Sequence, residues 1–388
     1  MIIQQAVRDA FKKGFGQTPR LFLAPGRINL IGEHVDYNEG LVLPTAIDRQ
    51  IVFALAANDS GVFSCYSLDR EEEISFGYPD FKPGHHWSNY LMGVLAGLRE
   101  RGSVIGGLDC VFGGNIPQGA GLSSSAALCC GFGWGVNQLF QLNHDRQAIA
   151  IVGQEAEHHF AGVKCGIMDQ YASLFSEKDH VLLLDCRTLT HKTLPLALGD
   201  YQLLLINSNV DHQLASTAYN DRRAACEEGV SILHKTFPEV NSLRDARLQH
   251  LDQVKNQMNP DTFRKCRFVI SEIDRVIMST KFLNKKDIES FGALMFQTHH
   301  GLSKEYDVSC PETDFLVELG RQHKGVVGAR MMGGGFGGCT LNIVQKTQVQ
   351  SFTDAVRSKY FAQFRKEADF YLVKPSEGVH ELTTSEVS

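Results

Sequence analysis

The stretch NIPQGAGLSSSAAL (115–128) has the residue types of an anion site. The pattern predicts a strand that ends at Pro117. Gly119 and Gly121 can then adopt backbone conformations that a side chain forbids. Ala120 lies between them, Leu122 follows, and Ser123, Ser124 and Ser125 lead into a good helical run. A helix start leaves several N–H groups without partners, and its dipole end carries roughly half a positive charge. Phosphate suits such a place. The hydroxyls would add donors to phosphate oxygens or a ligand for Mg2+. A glycine turn with a serine N-cap is the plain alternative, but one serine suffices for a cap. The loop is not a Walker A motif, because no Lys-Ser/Thr follows the glycines, and it lacks the third glycine of a dinucleotide fingerprint. With no H-R-D and no D-F-G, the plan of the eukaryotic protein kinases is excluded.

Two further stretches stand out. GRINLIGEHVDYN (26–38) packs Arg27, Glu33, His34 and Asp36 beside a glycine turn. No ordinary core strand carries such a set, although a surface turn with salt bridges could. In MMGGGFGGC (331–339), five of the six residues from Gly333 to Gly338 are glycine. A hairpin needs one or two glycines. Five predict a close approach to the backbone, with a flexible loop as the alternative.

These segments need a frame. The chain has 388 residues, 43% hydrophobic and 21% charged, which is ordinary for a globular protein and suggests two domains. A net charge of −6 argues against nucleic acid as the main partner. No C-x-x-C occurs among the ten cysteines, and reduced, buried thiols in a cytoplasmic protein are expected. Neither a signal peptide nor a transmembrane run is expected.

Periodicity predicts an N-terminal amphipathic helix closed by Gly14 and Gly16, and strands at 20–24, 50–57, 61–68 and 107–117. Helices are expected over 87–101, 122–139 and 145–160. The second half begins with strands at 180–186 and 201–208. Helical patterns run from about 218 to 320. Strands follow at 325–332, 339–344 and 368–375, with a helix over 347–364 between the last two. The tail after Pro375 is polar and is expected to fray. Runs of strands and runs of helices make the fold class α+β.

Together the three stretches resemble one family. GRINLIGEHVDYNEG resembles the galactokinase signature, PQGAGLSSSAAL the phosphate loop of the GHMP kinases, and MMGGGFGGC their C-terminal glycine motif. The resemblance covers about residues 20–345 in the family's order. CGIMDQYAS (165–173) and SNVDHQLASTAYNDRR (208–223) are similar to galactokinase segments too. Val35 and Met332 stand where the family commonly has threonine.

The resemblance implies a two-domain GHMP-kinase-like fold, 1–178 and 179–388, with the active site between the domains. It implies phosphorylation of D-galactose at its C1 hydroxyl by ATP and Mg2+, in a protein expected to be a monomer. Asp169 matches the catalytic aspartate, which would take the proton of the attacking hydroxyl. Arg27 would favour its ionised form and stabilise charge on the transferring phosphoryl group. Sugar contacts fall on Glu33, His34, Val35, Asp36, Gly166 and Tyr219, and ATP contacts on residues 119–125. Carboxylates suit this task, because charge-assisted bonds to hydroxyls are strong.

Ser125 and Glu157 match the metal positions. Glu155, two residues from Glu157 on the same predicted helix, should point elsewhere. His158 and His159 are expected to be structural or solvent-facing. Trp87 and Tyr90 could lie near the base, with core packing the plainer reading. An N-acetylgalactosamine kinase is the rival within the class, since the sequence does not show the room beside C2. A non-catalytic galactose sensor is the rival outside it, disfavoured by the complete GLSSSAAL loop with Arg27 and Asp169.

Overall fold

Helix α1 (Ile3–Phe15) opens the structure, which is a computed structural model and describes residues 3–78, 80–84, 86–117, 119–210 and 215–383. Val7 and Phe11 give α1 its buried stripe, and Gly16 ends it in the left-handed region. Next come β1 (Arg20–Asn29), β2 (Leu41–Val42), β3 (Pro44–Asn58), β4 (Phe63–Ser67), β5 (Glu72–Phe76), α2 (Ser88–Glu100) and β6 (Gly107–Gly114). Three helices follow: α3 (Ser124–Leu139), α4 (Arg146–Phe160) and α5 (Met168–Phe175).

The chain continues through β7 (His180–Asp185), β8 (Thr190–Pro195) and β9 (Tyr201–Asn207). It then turns helical in α6 (Ala215–Thr236), α7 (Leu248–Gln253), α8 (Pro260–Asn284), α9 (Ile288–Lys304) and α10 (Pro311–Gln322). It closes with β10 (Val326–Met331), β11 (Cys339–Gln345), α11 (Val349–Phe364), β12 (Asp369–Val373) and β13 (His380–Glu381). Five elements were not anticipated: β2, β5, β8, β13 and α5.

Three sheets carry the fold. The first runs β13-β1-β3-β6-β4-β5, with β4 and β6 parallel and the other pairs antiparallel. The second runs β10-β11-β9-β12, and the third joins β2 to β7 and β8. Helix α3 lies on the first sheet. Its apolar residues go nearly all round, as suits a helix buried on several sides. Gly131 and Gly135 share the face toward the sheet, where a Cβ would overlap Ala24 and Phe53, or Leu55. This close approach holds the start of α3, with its serines, at the end of the sheet.

The tail does not fray over its described part. Val379 is fully buried, and its carbonyl accepts from Arg146 Nη1 at 2.8 Å. β13 pairs with β1, and Arg20 binds Glu381 at 2.7 Å. A polar composition hid a segment held by pairing and by two arginines. Residues 384–388 of that tail lie outside the described residues.

Candidate functional site

Arg27 follows an irregularity in β1. The register with β3 shifts between Pro25 and Arg27, and such bulges re-aim side chains. Gly26 makes this possible, since a Cβ there would stand 2.7 Å from the Leu122 carbonyl oxygen. The phosphate loop is thereby laid against the signature: Arg27 N–H donates to Leu122 O at 3.1 Å, and Nη1 donates to Gly121 O at 2.7 Å. The remaining face of the guanidinium grips Asp169 through Nε to Oδ1 (2.7 Å) and Nη2 to Oδ2 (2.9 Å). This is the bidentate fork of a strong arginine–carboxylate pair. Burial works against the Arg27 charge, but Asp169 and Glu33 outweigh it and hold its pKa above the usual arginine value.

Asp169 sits in the first turn of α5, where the helix dipole favours a carboxylate. A third donor comes from Ser123 Oγ, which bonds Asp169 Oδ2. Ser123 occupies the N-cap position of α3 in the left-handed region, φ 57°, and its side chain makes no cap bond. The cap reading of the serine run thus fails at the residue where it would apply.

A cavity of about 290 Å3 opens beside this group, lined by Arg27, Glu33, His34, Asp36, Ser125, Glu157, Val163, Cys165, Gly166, Met168, Asp169, Tyr219, Gly333 and Gly334. Most residues anticipated for sugar and catalysis therefore meet here. Val35 does not: its side chain is fully buried in the core, which leaves only its backbone. Ala120 and Leu122 also turn their side chains inward. Of the segment 208–223, residues 211–214 lie outside the described residues.

Each wall residue has a distinct electrostatic state. Glu33 Oε1 accepts from Arg330 Nη2 at 2.7 Å and from Gly333 N–H at 2.9 Å. Burial would raise its pKa, but Arg330 and Arg27 hold it below the usual value. Burial pushes His34 down to about 4, helped by Arg222 and Arg330 against Glu33 and the Gly334 backbone. Its Nδ1 lies 2.9 Å from Tyr37 Oη, while Nε2 has no hydrogen-bond partner among the described residues. Asp36 is pushed up to about 7, by burial first and by the Asp169 charge second. Gly166 allows this crowding, since a Cβ there would overlap the Asp36 carboxylate. The Tyr219 ring centroid lies 5.3 Å from that of His34.

A second cavity of about 310 Å3 lies on the other side of the phosphate loop. Its lining includes Ser67, Asp69, Arg70, Trp87, Tyr90, Gly119, Ser124, Ser125 and Leu128. Trp87 and Tyr90 are thus both core and wall. Ser125 lines both cavities. Its Oγ donates to Glu157 Oε2 at 2.9 Å, and Gln170 Nε2 donates to Oε1 at 2.7 Å. Burial and the Asp169 charge push Glu157 up to about 7. Glu155 points away and pairs with Arg101 at 2.8 Å. His158 bonds the Cys165 carbonyl at 2.7 Å, and His159 is exposed.

Among the described residues no group of three or more His, Cys, Asp and Glu could hold a metal ion. A larger cleft of about 880 Å3 between α8, α9 and α10 contains none of these residues. Its charges pair locally, as in Lys304–Asp314 (3.6 Å) and Arg321–Glu318 (3.6 Å).

Sequence reasoning missed Arg330, Tyr37 and Tyr306. Arg330 stands just before the glycine motif, which was the available hint. Tyr37 lies inside the signature. Tyr306 carries no local signal.

Three family models match the chain: the galactokinase galactose-binding signature over residues 9–57, the GHMP kinase N-terminal domain over 89–177, and the GHMP kinase C-terminal domain over 279–362. Among solved structures, the Lactococcus lactis galactokinase complexed with galactose is 32% identical. The match covers 97% of this chain and 99% of that one, with a TM-score of 0.94. Mevalonate kinases share the fold at lower identity. The Methanococcus jannaschii enzyme has 16% identity, coverage of 93% and 99%, and a TM-score of 0.65. The L. major enzyme, in complex with R-mevalonate, has 17% identity, coverage of 92% and 96%, and a TM-score of 0.62. With the signature matched and the L. lactis likeness running through nearly all of both chains, this chain belongs to the galactokinase family of the GHMP kinases.

Proposed function

We propose that the protein transfers the γ-phosphoryl group of ATP to the C1 hydroxyl of D-galactose, giving galactose 1-phosphate and ADP. One observation carries this reading. Asp169, clamped by Arg27, faces a cavity of about 290 Å3 whose wall residue Ser125 also lines the nucleotide-side cavity. The L. lactis relative is complexed with galactose, and the first cavity, walled by Glu33, His34 and Asp36, has the polar groups a hexose needs. The second then takes the nucleotide, with its base near Trp87 and Tyr90 and its phosphates over the N–H groups of 119–125. In this division the phosphate loop comes from residues 1–178 and the glycine motif from 179–388.

Asp169 accepts the hydrogen of the C1 hydroxyl and aims its oxygen at the γ-phosphorus. Phosphoryl transfer passes through a loose transition state, so positioning and electrostatics carry much of the rate. Arg27 holds the Asp169 carboxylate in place through two hydrogen bonds and adds positive charge beside the transferring group. Asp36 and Glu33 accept sugar hydroxyls, and His34 Nε2 meets another. Buried polar groups left unpaired by a wrong epimer supply discrimination.

Mg2+ fits beside Ser125. The Glu157 carboxylate is buried without a cationic partner in hydrogen-bond contact among the described residues, and with Ser125 Oγ it offers hard oxygen ligands. Such an ion, when bound, neutralises charge on the phosphates. Few protein ligands suit Mg2+, which keeps waters and phosphate oxygens around it. Ten free cysteines support a reducing, cytoplasmic setting. No described helix is long and apolar enough to cross a membrane.

ADP release with Mg-ATP tests the reading, comparing D-galactose, N-acetylgalactosamine, D-glucose and no sugar. Release with galactose alone is expected. Preference for N-acetylgalactosamine would move the substrate. Galactose binding without release would make the protein a sensor and overturn the roles of Arg27 and Asp169.

A further inference from the structure

His34 enters the sugar cavity with one nitrogen committed behind it. Nδ1 lies 2.9 Å from Tyr37 Oη, Tyr37 Oη lies 2.7 Å from Tyr306 Oη, and Tyr306 Oη lies 3.3 Å from Cys226 Sγ. The relay gathers separate parts of the chain: the signature supplies His34 and Tyr37, α6 supplies Cys226, and the turn after α9 supplies Tyr306. Tyr306 and Cys226 are buried almost completely. The Tyr306 ring is held between His34 and Phe268, at 4.9 Å from each, and its carbonyl accepts from Arg222 Nε at 3.1 Å. Nothing assigned to the reaction so far uses Tyr37, Tyr306 or Cys226.

A neutral imidazole carries one proton, and its neighbours decide which nitrogen holds it. Burial keeps His34 neutral at ordinary pH. Between a phenol and a neutral imidazole, the phenol is the better donor and the ring nitrogen the better acceptor. Tyr37 O–H therefore donates to Nδ1. The Tyr37 oxygen is then open to the Tyr306 hydroxyl, and the Tyr306 oxygen to the Cys226 thiol. Every group gives one hydrogen in the same direction, and aligned chains of this kind strengthen one another.

We propose that Tyr306 and Cys226 are positioning residues for sugar recognition: through Tyr37 they hold His34 as the Nε2–H tautomer, so that it presents a donor to the sugar cavity. This rests on the reading of that cavity as the sugar site. Glu33 and ionised Asp36 offer only acceptors there. A hydroxyl that donates to Asp36 still has lone pairs, and the His34 donor satisfies one. With the other tautomer, three acceptors would face the sugar and that lone pair would stay unmatched.

Imidazole nitrogen NMR of the full chain, without sugar or nucleotide, tests the tautomer. The expected wild-type spectrum has His34 protonated on Nε2 and bare on Nδ1. Tyr306→Phe keeps the ring packing but removes the link. It should give mixed tautomers and raise KM for galactose about tenfold, the worth of a lost hydrogen bond, with kcat and KM for ATP unchanged. Cys226→Ser keeps a donor and should resemble the wild type, while Cys226→Ala should move part-way toward Tyr306→Phe. A wild-type proton on Nδ1 overturns the proposal. So does a folded Tyr306→Phe protein with unchanged shifts and unchanged KM, even at a lower Tm, since that is a packing role. Should Tyr306→Phe not fold, the wild-type spectrum and the Cys226 pair decide. If the wild type shows Nε2–H yet binds no galactose, the relay stands and the sugar reading falls.

Discussion

Arg330 Nη2 donates to Glu33 Oε1 at 2.7 Å, with both side chains almost wholly buried. Arg330 also holds the carbonyls of Asn29 and Leu30, and Glu33 also takes the Gly333 N–H. This ion pair ties the signature to the strand that leads into the glycine motif. Separating a buried pair by removing one partner costs about 3–5 kcal/mol, because the other charge stays buried. Arg330→Met should therefore lose that much in urea unfolding and bind galactose poorly. A loss under about 1 kcal/mol, typical of a surface pair, would show that the two sites are joined by something else.

Asp169 is held by three donors, two from Arg27 and one from Ser123. Asp169→Asn keeps the shape but loses the charge that receives the hydroxyl proton. kcat should fall at least about a hundredfold, within the range of positioned acid–base groups. Ser123→Ala removes a supporting bond, and a smaller loss of about tenfold is expected. Steady-state kinetics on folded variants checks both. A near-normal kcat for Asp169→Asn would remove it from the chemistry, and a larger effect at Ser123 would invert the assignment.

Glu157 and Glu155 separate the metal role from general acidity on α4. Glu157 is buried against Ser125, whereas Glu155 pairs with Arg101 near the surface. Glu157→Gln should raise KM for Mg-ATP at least tenfold and shift the Mg2+ concentration giving half-maximal rate. Glu155→Gln loses a partly exposed ion pair worth about 0–1 kcal/mol and should leave both constants alone. Equal effects would detach Ser125 and Glu157 from the metal.

The contrast between these glutamates was legible in the sequence, because positions two apart on a helix cannot face one target. The turn and helix start were legible as well: Gly119 and Gly121 take positive φ, and α3 begins in the serine run. Other features were hidden for physical reasons. β8, THKTLP, is a short half-exposed strand without a clear apolar face, and α5 is only two turns long. The meeting of Arg330 with Glu33 spans nearly 300 positions, and no local spacing encodes it. The serine run read as a phosphate site with a cap as the alternative, and neither reading points to the bond that Ser123, with its left-handed backbone, makes to Asp169. Cys226 was expected only as a buried thiol, and Tyr306 carried no local signal; both are core residues. Their function lies in hydrogen bonds that only the folded chain closes.

Asp36 gives the site a pH signature. Burial and the Asp169 charge raise its pKa from 3.8 to about 7 in the ligand-free protein. From about 4 to about 7 the folded state then holds a proton that the unfolded chain releases, so the contribution to stability falls as pH rises through that window. Glu157, raised from 4.5 to about 7, has the same sign. His34, lowered from 6.5 to about 4, has the opposite sign, and its contribution is lost as pH falls through that range. Asn at position 36 mimics the protonated acid, so the Tm advantage of Asp36→Asn over the wild type should grow from pH 6 to pH 8. Sugar binding runs the other way. Only the ionised carboxylate accepts from two hydroxyls, so galactose affinity of the wild type should rise over the same interval, with proton release at pH 7. Calorimetry without ATP and Mg2+, in buffers of different ionisation heat and repeated on Glu157→Gln, separates this from Glu157, which lines the same cavity. An affinity that stays flat from pH 6 to pH 8, with no proton released, would mean that Asp36 is already ionised before the sugar arrives.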